Sequence, residues 1–97
     1  MKIIWSPLAL EQARDIAAYI ALDKPSAAEK WIEETFNSVE RLIAFPESGR
    51  IVTEIKRNNI REVVQGSYRL IYKIEANQIL VLLVKNCRQK LTENEVL

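Results

Sequence analysis

The chain predicts an α+β domain: an N-terminal strand, a helical hairpin, then a three-stranded antiparallel meander, with the helices packed on one face of the sheet. Three observations carry this reading. A short β-rich segment opens the chain, two amphipathic stretches of helical spacing follow, and from Ile60 the apolar pattern becomes alternating or continuous. With 97 residues, 48% hydrophobic and 28% charged, residues 1–97 hold material for one core and one domain.

Lys2–Ser6 alternates and is rich in β-formers (Ile3, Ile4, Trp5), which predicts the first strand. Ser6-Pro7 starts a helix: the serine caps free N–H groups, and proline fits the first helical position, where its missing donor costs nothing. Ala13, Ile16, Ala17 and Ile20 form the apolar stripe of that helix. Asp23-Lys24-Pro25 ends it, and Ser26-Ala27-Ala28-Glu29 has the spacing of a capping box for a second helix running to Ala44. Its predicted stripe is Ala28, Ile32, Thr35, Phe36, Val39, Leu42 and Ile43. Pro46 restricts Phe45 and stops it.

Phe45–Arg50 reads as a loop, with Arg50 binding the last carbonyls of the preceding helix. Residues 51–59 show no clear period. Strands are predicted at Ile60–Val64, Tyr68–Ile74 and Ile79–Val84, with turns at Gln65-Gly66-Ser67 and Ala76-Asn77. The unbroken apolar run Ile79–Val84 predicts the central strand. Along Tyr68–Ile74, Tyr68, Leu70, Tyr72 and Ile74 share one face, assigned to the core, and Arg69, Ile71 and Lys73 share the other. That second face is expected to be open to solvent. Thr92–Glu95 can start a short terminal helix.

Composition removes several kinds of chemistry. There is no histidine and only one cysteine, Cys87. An intrachain disulfide, a Cys/His zinc site, a Ser-His-Asp triad and a Cys-His dyad are excluded, so no metal or cofactor is expected. Cys87 is expected to be a small packed residue. No apolar run approaches a bilayer span and the first residues do not resemble a signal peptide, so a soluble cytoplasmic protein with no membrane association is expected.

The net charge of +1 hides an asymmetry. Residues 1–49 carry five basic and eight acidic side chains, whereas residues 50–97 carry nine basic and five acidic. This predicts a localised anion- or target-binding face. Its candidates are Lys56, Arg57, Arg61, Arg69, Lys73, Lys85 and Arg88. Arg61 and Arg69 rank highest because strands hold them rigidly. The structural alternative is a solvated basic face, with Arg61 or Arg69 in an inter-strand ion pair to Glu62 or Glu75. Trp31 flanks the stripe of the second helix and is the candidate anchor for a protein partner or for self-association.

Ser6-Pro7, the Phe45-Pro46-Glu47-Ser48-Gly49-Arg50 link, Arg61, and Gly66-Ser67-Tyr68-Arg69-Leu70-Ile71-Tyr72-Lys73-Ile74 together resemble the RelE/ParE superfamily of type II toxins over essentially the whole chain. The resemblance implies a toxin neutralised by a cognate antitoxin, which lays an extended or helical tail across the toxin surface. A heterotetramer or larger complex with the antitoxin would be in keeping with this.

Two activities divide the superfamily. RelE-like members are ribosome-dependent mRNA endonucleases that use the RNA's own 2′-hydroxyl as nucleophile, without metal. In this chain Arg69 matches the sheet arginine of that constellation, Arg88 or Lys90 the arginine after the last strand, and Arg61 adds upstream charge. The match is incomplete. Nothing after Tyr72 is aromatic, histidine is missing, and the last residues are acidic, so only Glu62 or Glu54 remains as a base. ParE-like members inhibit DNA gyrase by protein contact, and the near-neutral pI of 7.8 fits that branch better. The expectation is therefore a ParE-like, non-enzymatic toxin acting on gyrase. Its alternatives are a RelE-like nuclease acting on ribosome and mRNA, and an antitoxin-binding module that has lost toxicity.

Overall fold

The computed structural model describes residues 1–96. Strand β1 (Lys2–Trp5) leads into helices α1 (Pro7–Asp23) and α2 (Pro25–Glu40). Short 3-10 turns follow at Arg41–Ile43 and Pro46–Ser48. Then come strands β2 (Arg50–Ile51), β3 (Ile60–Gln65), β4 (Tyr68–Ile74) and β5 (Gln78–Asn86), and a 3-10 turn at Glu93–Glu95. The five strands form one sheet in the order β1-β5-β4-β3-β2. β1 lies parallel to β5, and every other pairing is antiparallel. The α+β architecture is the expected one. Among the described residues, no helix is long and apolar enough to cross a membrane.

Local chemistry sets the helix boundaries. Ser6 Oγ accepts from the Ala9 N–H at 3.0 Å, and Pro7 occupies the first turn of α1, as expected. The capping box at Ser26–Glu29 does not form. Pro25 holds Lys24 extended and itself fits the first turn of α2, so the helix starts two residues early with Lys24 as its cap. The far end of the second helix also differs, because Arg41–Ile43 tightens to a 3-10 turn before Pro46.

The buried face of α2 is rotated from the predicted stripe. Ala28, Trp31, Thr35 and Val39 are buried, and Leu42 continues the line. Ile32 and Phe36, assigned to the core, are 39% and 43% exposed. The helix packs against the first core: Ala9, Val39, Leu42, Leu70, Tyr72, Ile79, Val81 and Val84. A register shift between Ile71 and Tyr72 places an extra residue in β5, because Ile71 pairs with Leu83 and Tyr72 with Val81.

The sheet's other face is not open. Val52 and Ile55 from the β2–β3 connection, and Leu91 and Val96 from the C-terminal segment, pack over Ile60, Ile71 and Leu83 as a second core. The centre of the sheet is β4; the strand predicted at Ile79–Val84 lies one place from the edge, beside β1. Its continuous apolar pattern reflects cover on both faces, which both strands share. Cys87, expected to be packed, is exposed just beyond β5.

The Phe45–Arg50 link is locked onto the sheet by one tyrosine. Tyr72 Oη donates to the Pro46 carbonyl at 2.6 Å and accepts from the Gly49 N–H at 3.0 Å. A Cβ at position 49 would lie 2.4 Å from that hydroxyl and 2.8 Å from the Glu62 carbonyl, so close approach of the backbone demands glycine there.

Candidate functional site

Arg69, the centre of the predicted working face, is an internal cation. It projects from β4 away from the helices, but the second core closes over it and its side chain is 7% exposed. Two of its nitrogens meet Glu54 at 2.8 and 3.0 Å, its Nε donates to Glu62 at 2.6 Å, and it also donates to the Gln89 carbonyl at 3.2 Å. Glu62 in turn accepts from Arg50 Nε at 2.7 Å. Arg50 thus serves the sheet and not the carbonyls of the preceding helix. The hydrogen bonds from Arg69 draw the Glu54 carboxyl down to about 2, against a smaller opposing effect of desolvation, with the Leu91 N–H helping. The same bonds push the Arg69 guanidinium further above its ordinary value. A carboxylate held this way is a poor proton acceptor, which removes Glu54 as the base weighed above.

Arg61 is also consumed within the fold. Its guanidinium donates to the carbonyls of Glu47, Gly49 and Asn58 and to Asn58 Oδ1, at 2.8 to 3.0 Å. It staples the loop before β2 to the turn before β3. Tyr72, 1% exposed, has its hydroxyl pushed up by burial and held between Pro46 and Gly49, so it is a packed aromatic as expected.

The other candidate cations are scattered. Lys85 pairs with Glu95 at 2.7 Å and donates to the Lys90 carbonyl, and Arg57 reaches Glu93 at 3.3 Å. Lys73 stands 4.0 Å from Glu75. Lys56 lies on the β2–β3 connection with a positive φ of 57°, and Arg88 and Lys90 lie exposed in the turn after β5. Among the described residues, Lys56, Arg88 and Lys90 form no ion pair. The acids of the C-terminal segment therefore take up Arg57 and Lys85 of the predicted basic face. Of the four candidates for phosphate chemistry, Arg61 and Arg69 are tied up inside the fold, and Arg88 and Lys90 are exposed after β5. Among the described residues, no group of three or more His, Cys, Asp or Glu side chains is arranged to hold a metal ion.

An apolar surface open to solvent lies on the helical hairpin. A crease of about 340 Å³ runs between α1 and α2, lined by Leu10, Ala13, Arg14 and Ala17 on one side and Ile32, Thr35 and Phe36 on the other. Small alanines on α1 let the second helix approach and leave the crease shallow. Phe36 leans on Trp5, with ring centroids 4.9 Å apart. Trp31 forms the floor and not an exposed anchor: it is 7% exposed, donates from Nε1 to the Gln65 carbonyl at 3.2 Å, and meets Tyr68 edge-on. Thr35 Oγ1 is buried without a hydrogen-bond partner among the described residues. Sequence periodicity assigns Ile32 and Phe36 to the core, whereas the structure leaves both partly exposed. The signal was a stripe too wide for one buried face, seven residues spread over Ala28–Ile43.

The comparisons with known proteins agree with this fold. Residues 3–91 match the family model described as ParE toxin of type II toxin-antitoxin system, parDE. Among solved structures, one titled "Chromosomal ParDE TA system from P. aeruginosa" superposes with a TM-score of 0.70 at 19% identity, covering 89% of this chain and 95% of that chain. No curated protein matches in sequence.

Proposed function

The chain belongs to the family of ParE toxins of type II toxin–antitoxin systems, and from that premise we propose that it acts by protein contact, inhibiting DNA gyrase until a cognate antitoxin covers it. One observation carries this reading over RNA cleavage. The two cations best placed for phosphate chemistry, Arg61 and Arg69, spend their donors on backbone carbonyls and buried carboxylates inside the fold. Presenting either to a scissile phosphate would break a buried ion pair or unfasten a loop. Such a cost opposes the preorganisation that transition-state stabilisation requires.

The antitoxin supplies cover for the hairpin crease. Ile32 and Phe36 are exposed side by side with Leu10 and Ala17, and the apolar face of a partner helix matches such a groove at the spacing of one helical turn. Acidic residues Glu29, Glu33 and Glu40 on α2 favour basic residues flanking that face.

Expression of the chain alone in a bacterial host tests the target. The expected result is growth arrest with loss of gyrase supercoiling in purified form and intact translated messages. Cleavage of those messages mapped by primer extension, with supercoiling unaffected, would establish the nuclease alternative. Antitoxin binding without growth arrest would establish the decayed module.

A further inference from the structure

The hairpin crease takes one flank of α2; a second groove follows the other flank, between α2 and β3. Its wider end, about 500 Å³, is lined by Ser38, Arg41, Phe45, Ser48, Arg50 and Val64, with Glu62 below them. Past Ser38 and Arg41 it continues along Asn37, Gln65, Glu34 and Glu40. Strand β2 covers the outer side of β3 only at Arg61 and Glu62. Val64 alternates with Glu62, so its N–H and C=O also face away from β4. Beyond the end of β2 they meet no partner among the described residues.

Two guanidiniums reach the wider end with donors to spare. Arg50 spends its Nε on Glu62 at 2.7 Å, while its terminal nitrogens make no hydrogen bond among the described residues and its side chain is 66% exposed. The Arg41 side chain reaches Ser38 Oγ at 3.2 Å and forms no ion pair among the described residues. The acid at this end, Glu62, is already shared between Arg50 and Arg69. At the far end Glu34 accepts from Gln65 Nε2 at 2.6 Å. Phe45 stands beside the two arginines, 66% exposed. The Tyr72 hydroxyl fastens Pro46 and Gly49, so the ring is presented from a tethered link. An exposed aromatic next to planar cations is the composition of an interface anchor.

We propose that this groove is where the chain grips its target, by taking an extended acidic segment of the target protein. A carboxylate of that segment meets Arg41 and Arg50, an apolar side chain lies on Phe45 and Val64, and its main chain pairs with Val64. Charge assigns the occupant. Glu29 and Glu33 beside the crease favour a basic antitoxin segment, whereas the two arginines here call for an acidic one. The inference rests on the gyrase contact proposed above and places it on residues that the crease does not use.

Supercoiling by purified gyrase, titrated with the full chain, tests it beside calorimetric titration of the same chain with its antitoxin. Phe45→Ala and Arg41→Glu should each raise the concentration needed for half-inhibition by about thirtyfold, the scale of an interface anchor. Both side chains are exposed, so each variant should keep wild-type antitoxin affinity, which also shows its fold to be intact. Undiminished inhibition by either variant overturns the proposal and leaves the gyrase reading standing. An equal loss of antitoxin affinity assigns the groove to the antitoxin and overturns it as well. A wild-type chain that leaves supercoiling untouched defeats the gyrase reading, and the target groove with it.

Discussion

Arg69 grips Glu54 through two separate nitrogens, at 2.8 and 3.0 Å, and Glu54 passes the contact on by accepting the Leu91 N–H at 3.0 Å. One ion pair therefore joins a central strand, the irregular β2–β3 connection and the C-terminal segment. Those two coverings have little regular structure of their own, so the clasp and the second core are what hold them against the sheet.

Removing the arginine should accordingly cost stability before it affects any partner. Arg69→Ala strips Glu54 of its counter-charge and leaves Glu62 only its contact with Arg50, in a covered site, and a loss of about 3–5 kcal/mol is expected. Urea unfolding measures it. Replacing Arg69, Glu54 and Glu62 together with apolar residues of similar volume should recover most of that loss. If Arg69→Ala unfolds at the wild-type denaturant concentration, the clasp has no structural role.

The same clasp fixes an acid dependence. The Glu54 carboxyl sits at about 2 in the folded chain against 4.5 for the free side chain. A depressed carboxyl contributes its stability fully above the unfolded value and loses it as pH falls toward the folded one. Melting temperature should therefore be flat from neutral pH down to about 5, then fall between 4.5 and 2. Glu95, held below its ordinary value by Lys85, adds to the same slope. Glu54→Gln should melt lower at neutral pH and show a shallower acid limb. An acid limb as steep as wild type would assign the dependence to other carboxylates.

Tyr72 offers a third test, because its hydroxyl both accepts from Gly49 and donates to Pro46. Tyr72→Phe strands one donor and one acceptor near the core, with an expected loss of about 1–3 kcal/mol. Gly49→Ala should be at least as damaging, and Tyr72→Phe should not rescue it. The added methyl would still lie 2.7 Å from a ring carbon and 2.8 Å from the Glu62 carbonyl. Thermal unfolding of the two single variants and the double variant decides the matter.

How far the sequence could be read follows from where periodicity exists. The helices and the meander carry regular apolar spacing, and Ser6-Pro7 marks a start that the structure keeps. Parity correctly put Arg69 on the face away from the helices, yet parity says nothing about what lies over that face. The cover comes from Val52, Ile55, Leu91 and Val96, single apolar residues in segments with no repeating pattern. The acids that take up Arg57 and Lys85 are in the C-terminal segment, far along the chain from Arg57, so charge counting could not foresee the pairing. On α2 the error was rotational. Trp31 defines the buried line, and a stripe drawn through Ile32 and Phe36 turns the helix toward its surface.

Those two misread residues supply the most direct functional test. Ile32 and Phe36 are 39% and 43% exposed, so an exchange at either should change stability much less than a core truncation does. If the crease between the helices is where the antitoxin docks, Ile32→Asp and Phe36→Ala should each weaken the complex by about thirtyfold, the 2 kcal/mol scale of a buried interface anchor. Cells making either variant would then be arrested even with antitoxin present, because target inhibition is retained while neutralisation is lost. Titration of each purified variant with the antitoxin by calorimetry, beside unfolding of the free chain, separates binding from folding. Wild-type affinity in both variants would move the antitoxin off the hairpin.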